Sequence, residues 1–254
     1  MRKLTLFAAL LFSSTLSFAQ KGLEVGVEFT PAVTFILNDD DFAEGDNLNF
    51  RGTFGFNTGL SLGYNFNDGI GIASGILFSR QGQNYITDYA GVSKANQDVF
   101  ARQLGYIRVP VLLKFNGDPT ASSSSYFRVG PHFDFLRSAK YTYDEKSGTT
   151  FDRDVNLLKD NPYDGYSIYN KFVFGVTLEF GGTANINETT KFTFMLHMSG
   201  NLNSEDLDAA KLGLTGLGYP AQIVTSIPPT LERQPAYNVM GGLNVGFRYT
   251  IPMN

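Results

Sequence analysis

Near the end of the chain a histidine and a serine stand two residues apart, in His197-Met198-Ser199. An imidazole beside a hydroxyl is the base and nucleophile of acyl transfer, provided a carboxylate orients the base. Glu205 and Asp206 follow closely, but in a polar stretch with the marks of a loop. A second group, Asp39-Asp40-Asp41 with Glu44 and Asp46, clusters the carboxylates that calcium favours. It lacks the alternating acids, the glycine and the distal glutamate of a calcium loop, so a solvated acidic loop is expected. The chain has no glycine-rich phosphate loop, no histidine pair at metal spacing and no cysteine. No metal and no cofactor is expected.

The most numerous candidates are charged residues inside otherwise apolar segments. Arg108, Lys114, Arg128, Lys191 and Arg248 occur there with His132, Asp134, Glu179 and His197. One reading of this set is a path for ions or solutes; another is a polar plug whose charges neutralise one another. Buried charge must be paired or it costs several kcal/mol, so the choice depends on the elements that carry these residues.

Those elements have a period of two almost throughout. Ile107, Val109, Val111, Leu113 and Phe115 alternate with Tyr106, Arg108, Pro110 and Lys114. Phe172, Phe174, Val176, Leu178 and Phe180 alternate with Gly175, Thr177 and Glu179. Phe192, Phe194, Leu196 and Met198 alternate with Lys191, Thr193, His197 and Ser199. The same pattern runs from Leu23 to Phe29, Phe54 to Phe66, Ile70 to Phe78, Phe127 to Phe135 and Val239 to Ile251, which makes eight expected strands. Short polar turns fall at Asn67–Gly69, Asn116–Ser124 and Asn185–Thr189. Long polar loops fall at Leu37–Arg51, Gly82–Gln103, Tyr141–Tyr169 and Gly200–Pro235. Within the last, Ser204 to Gly213 has a cap, acids in its first turn and a terminal glycine, the signs of a short helix. A further hairpin folded from one long loop would raise the strand count to ten.

The two faces of these strands differ in size as well as polarity. One carries bulky apolar side chains, phenylalanine above all; the other carries Gly, Ser, Thr, Ala and Asn with a few charges. Large groups fit the convex outside of a small barrel and small ones its interior. Backbone in hydrocarbon must be fully paired, which a closed sheet achieves. Short turns on one rim and long loops on the other match an outer-membrane barrel. The fold predicted is therefore all-β, an eight-stranded antiparallel up-and-down transmembrane barrel. Pro110 and Pro131 cannot donate to a ladder, and a bulge is expected near each.

Residues 1–19 read as a secretory signal: Arg2 and Lys3, an apolar run from Leu4, and Ser17-Phe18-Ala19 before Gln20. Residues 20–254 then form one domain. Without Arg2 and Lys3, 18 basic and 24 acidic residues remain, a net charge of −6 that argues against nucleic acid as a partner.

The segment "GYIRVPVLLKF" is similar to the aromatic-x-x-x-Pro-aliphatic strand of PorT-like outer-membrane β-barrel proteins, abundant in the Gram-negative Bacteroidota. "FRVGPHFDFLRSAK" resembles the strand that follows it, "GIASGILFSRQG" an earlier one and "FVFGVTLEF" the sixth. The resemblance covers Lys21 to Pro252. It implies an outer-membrane barrel without assigned catalytic residues, some members being linked to type IX secretion or gliding. Many barrels end on an aromatic residue; this chain ends YTIPMN, with Tyr249 as the stand-in. Outer-membrane lipids and other envelope proteins are the expected partners, and the expected role is structural or interactive. A small-solute or hydrophobic-molecule conduit, a lipid-modifying enzyme using His197 and an adhesin are the alternatives.

Overall fold

The computed structural model describes residues 22–39, 42, 48–87, 99–118, 121–144, 155–156, 169–204 and 235–252. There the alternating segments form one antiparallel sheet. Its strands are β1 (Gly22–Leu37), β2 (Leu48–Asn65), β3 (Ile70–Thr87), β4 (Val99–Asn116), β5 (Ser123–Asp144), β6 (Val155–Asn156), β7 (Phe172–Asn185), β8 (Thr190–Asn201) and β9 (Tyr237–Pro252). Each long strand pairs with the next, and β1 pairs with β9 from Gly22 opposite Pro252 to Leu37 opposite Tyr237. The sheet is thus closed, an eight-stranded up-and-down barrel, and β6 is a two-residue addition to Lys140 and Tyr141 of β5. Residues 1–19, the acidic loop except Asp39, and the expected helix beyond Ser204 lie outside the described residues.

The side-chain faces fall as their sizes predict. Leu60 and Ile76 are 64% exposed and Phe54 60%, while Arg102, Lys114, His132 and Asp134 are fully buried. In water this arrangement would be inside out; with hydrocarbon around the barrel it satisfies both faces. Aromatic pairs stand on the outer wall toward both rims. Phe115–Phe127 and Phe192–Phe247 lie near the short turns with ring centroids 5.8 and 5.3 Å apart. Phe135–Phe172, at 5.4 Å, lies toward the long loops.

Two asparagines build the tightest turns. Asn67 Oδ1 accepts from the amides of Gly69 and Ile70 at 2.9 and 2.8 Å. Asn187 Oδ1 accepts from Thr189 and Thr190 at 3.0 and 2.7 Å. Such a side chain mimics a turn's own backbone acceptor.

The long loops are shorter than the sequence suggests. β3 runs on to Thr87 and β4 starts at Val99, pairing Ile86 with Val99. β5 continues to Asp144 and β2 starts at Leu48. A tilted strand crosses a membrane in roughly 9–11 residues, whereas β2, β3 and β4 each have 18 and β5 has 22. Past the hydrocarbon the apolar alternation lapses, but backbone pairing does not depend on it.

The prolines also behave differently from expectation. The β3–β4 register is unchanged across Pro110, and the β4–β5 register is unchanged across Pro131. What is lost at each is two consecutive pairs: Gly75 and Ile76 opposite Pro110 and Val109, and Val111 and Leu112 opposite Pro131 and Gly130. These are the pairs that would use the missing proline N–H. Pro31 makes the same gap in the β1–β9 seam. Ser74 Oγ donates to the Pro110 carbonyl at 2.8 Å, restoring one contact. The register shifts occur instead between Gly52 and Phe56 and at Gly105–Tyr106, where Arg137 of β5 is the extra residue. Beyond Arg137 the inward phase of β5 moves from even to odd positions, so that Ala139 is buried.

Candidate functional site

Alternation sends every second side chain of eight strands toward one axis, so inward charges from distant parts of the chain must meet there. Arg108 on β4 grips Asp134 on β5 with two parallel bonds, Nε to Oδ1 and Nη2 to Oδ2, both 2.8 Å. This fork-to-fork contact is the strongest common form of the pair. Gln81 adds a third donor to Asp134 at 3.0 Å. His132 lies between Thr177 on Nδ1 (2.9 Å) and Asn201 on Nε2 (3.3 Å). It fits because β7 carries Gly175 there; a Cβ at that position would come within 2.6 Å of the imidazole.

Toward the short turns the network becomes denser. Arg128 donates to Glu28 at 2.7 and 3.2 Å and is in ion contact with Glu179 through Nε at 2.6 Å. Arg248 reaches the same Glu28 at 2.6 Å and Glu24 at 3.5 Å, and donates to the Tyr126 hydroxyl. Lys114 donates to Glu24 at 2.5 Å, and Asn65 to its other oxygen at 2.9 Å. Asn244 donates to Glu28, Thr30 and Glu179. The four cations Lys114, Arg248, Arg128 and Arg108 thus meet four carboxylates, Glu24, Glu28, Glu179 and Asp134. All eight are buried.

Eight of the nine sequence candidates are buried in this lumen, and Lys191 is not; it is half-buried at the short-turn mouth. Glu24 and Glu28 escaped the candidate set although they sit at inward positions of β1. Charge balance was the available signal: five cations against two carboxylates cannot be buried together, and two acids of matching phase stand four residues apart on the first strand.

The His197–Ser199 pair meets a carboxylate after all, and it is neither of the loop acids. Glu179 Oε1 lies 2.8 Å from His197 Nδ1, and His197 Nε2 lies 3.2 Å from Ser199 Oγ. The order is that of a hydrolytic triad. Each end of it is also held by an arginine. Arg108 Nη1 holds Ser199 Oγ at 3.1 Å, Arg128 holds the other oxygen of Glu179, and the adjoining cavity is only about 10 Å³. Among the described residues no three metal-ligating side chains cluster.

The model of a family described as an outer membrane protein beta-barrel domain matches residues 18–207. Among solved structures the chain is similar to Ail, the attachment invasion locus protein of Yersinia pestis, at 14% identity over 90% of this chain and 99% of that one, with a TM-score of 0.38. It is similar to the outer membrane protein OprG from Pseudomonas aeruginosa at 12% identity, over 92% and 97%, with a TM-score of 0.42. Neisserial surface protein A gives 11% identity over 90% and 97%, with a TM-score of 0.41. Comparison with curated proteins finds no match.

Proposed function

This chain belongs to the outer-membrane β-barrel domain family, and from that premise we propose that it is a non-enzymatic structural and interaction component of the envelope. The observation that supports this reading is the closed lumen. Ion pairs cross from β1 to β4, from β1 to β5 and from β5 to β7, and about 10 Å³ stays open at mid-height. A protein with its axis filled acts through its outer wall and its rims. The wall engages outer-membrane lipids. The long-loop rim, raised by the extended ends of β2 to β5, engages other envelope proteins, in line with the resemblance to PorT-like barrels that serve type IX secretion or gliding. Nucleic acid is not a partner of so acidic a chain. Export uses a leader cleaved after Ala19, so mass spectrometry of the mature protein should give Gln20 as its first residue.

Photo-crosslinking in intact cells tests the role. A crosslinker at the exposed rim positions Arg51 and Lys140 should give discrete adducts with envelope proteins, and one at the outward Leu60 adducts with lipid alone. Rim positions that give no protein adducts would overturn the interaction reading. Stepwise conductance of the purified protein in planar bilayers would replace it with a conduit.

A further inference from the structure

The bulge at Arg137 changes what β5 presents to the membrane. Leu136 packs against the apolar cluster of the lumen and Ala139 is buried, so Arg137 and Ser138 stand side by side on the outer face, both exposed. A bulge re-aims a side chain in this way. Opposite it β4 carries Gly105, where a Cβ would come within 2.4 Å of the Ser138 hydroxyl. The glycine makes room for the second outward residue.

Two further cations lie at the same height. Gly105 is also the ladder partner of Arg80 on β3, and the amide of Leu136 donates to the carbonyl of Lys171, just ahead of β7, at 2.9 Å. With neighbouring strands roughly 4.8 Å apart, Arg80, Arg137 and Lys171 fall within about 15 Å along one stretch of wall. Gln103 orients Arg80, its Oε1 accepting from Nη2 at 2.7 Å. All three cations are exposed, and none pairs with a carboxylate among the described residues. The chain is acidic overall, so an acid-free group of three cations runs against its composition.

Their height is that of the membrane surface. A tilted strand crosses the hydrocarbon in roughly 9–11 residues. Counted from the apolar residues nearest the short turns, Ile70, Phe115, Phe127 and Phe180, that span ends at Arg80, Gly105, Arg137 and Lys171. Directly beneath are Phe78, Ile107, Phe135 and Phe172. Across the barrel the same height holds Val33 with its ladder partners Phe54 and Gly241, and no charge. The cations therefore form a patch over β3 to β7 rather than a ring. The long-loop end of such a barrel faces outward, which puts the patch among the headgroups of the outer leaflet.

We propose that this patch binds the phosphate of an outer-leaflet lipid headgroup. Arg80, Arg137 and Lys171 donate to the phosphate oxygens and Ser138 to their edge, while the acyl chains lie along the apolar residues beneath. Guanidinium groups match phosphate with paired N–H donors. The aromatic wall under the cations favours a lipid over a free anion, because only a molecule with chains can use it. The site deepens the lipid part of the function proposed above and rests on it. It does not use the protein contacts of the rim, so either can fail while the other stands.

Native mass spectrometry of the full chain in a neutral maltoside detergent tests the site, with monophosphoryl lipid A and its dephosphorylated form as probes. The phosphorylated lipid should bind saturably and at least about fivefold tighter than the other, and excess inorganic phosphate should not displace it. Arg137→Gln should weaken binding about fivefold, and joint Arg80→Gln, Arg137→Gln and Lys171→Gln roughly fiftyfold or more. These side chains are exposed, so the variants should keep the heat-modifiable gel mobility of the folded barrel. Lys191→Gln, the same loss of charge at the short-turn mouth, should change nothing; an equal weakening there would overturn the location. Equal affinity for the two lipids, or parent-like binding by the triple variant, would overturn the site. Full displacement by inorganic phosphate would overturn the lipid assignment.

Discussion

The two halves of the lumen solve the same packing problem with different chemistry. Toward the short turns, side chains from β1, β4, β5, β7 and β9 meet as opposed charges and fill the axis with ion pairs. Toward the long loops, Leu104, Tyr106, Ala139, Tyr169 and Val173 form an apolar cluster with Leu136 against it, and Arg102 lies over the Tyr169 ring at 4.5 Å. The charged half holds its shape through bonds of fixed direction and depends on a strict balance of sign. The apolar half depends on volume. A lost partner in the first leaves a charge stranded in low dielectric; a lost methyl group in the second leaves a hole.

That contrast can be broken most severely at Glu28, which holds Arg128 and Arg248 at once. Glu28→Gln leaves two guanidinium groups short of a counter-charge and should cost about 3–5 kcal/mol, read as a lowered guanidinium midpoint in detergent. A midpoint within error of the parent would show that the charges are not effectively buried. In the apolar half, Leu104→Ala should cost about 2–4 kcal/mol. Its hydrogen-exchange footprint should stay among the long-loop ends of β4, β5 and β7, and spread to β1 would refute the division into halves.

The Arg108–Asp134 pair sharpens the comparison through non-additivity. Arg108→Met or Asp134→Leu alone should each destabilise by about 3 kcal/mol, whereas the double substitution should approach parent stability, because an apolar pair of similar volume carries no desolvation penalty. Additive losses would mean the two groups act separately. The smallest effect belongs to Ser199→Ala, about 1 kcal/mol for the lost bond to Arg108. The parent should resist a fluorophosphonate serine probe, and labelling at Ser199 would revive the enzymatic alternative.

The charged half was partly legible in the sequence. Phase alone placed Arg108, Arg128, Asp134 and Glu179 inside, and Lys191 failed as a network member only because it sits one step too near the mouth. Glu24 and Glu28 were in phase and unremarkable by themselves. The apolar half was less legible: Tyr106 was in phase with Arg108, but Ala139 and Tyr169 fall where strands leave the hydrocarbon and the alternation that marks a strand gives way to loop-like polarity. The bulge at Arg137 reverses the phase there as well.

Strand count, the inward or outward sense of residues within the alternating segments and the short turns were determined by the sequence by itself, because a period of two and an Asn-containing turn are set by neighbours in the chain. Which acid meets which base was decided only by the tertiary structure. Lys114 and Glu24 are 90 positions apart, and Arg248 and Glu28 are 220. Their meeting depends on closure of β1 onto β9 and on the stagger between strands, quantities that exist only once the ring is shut.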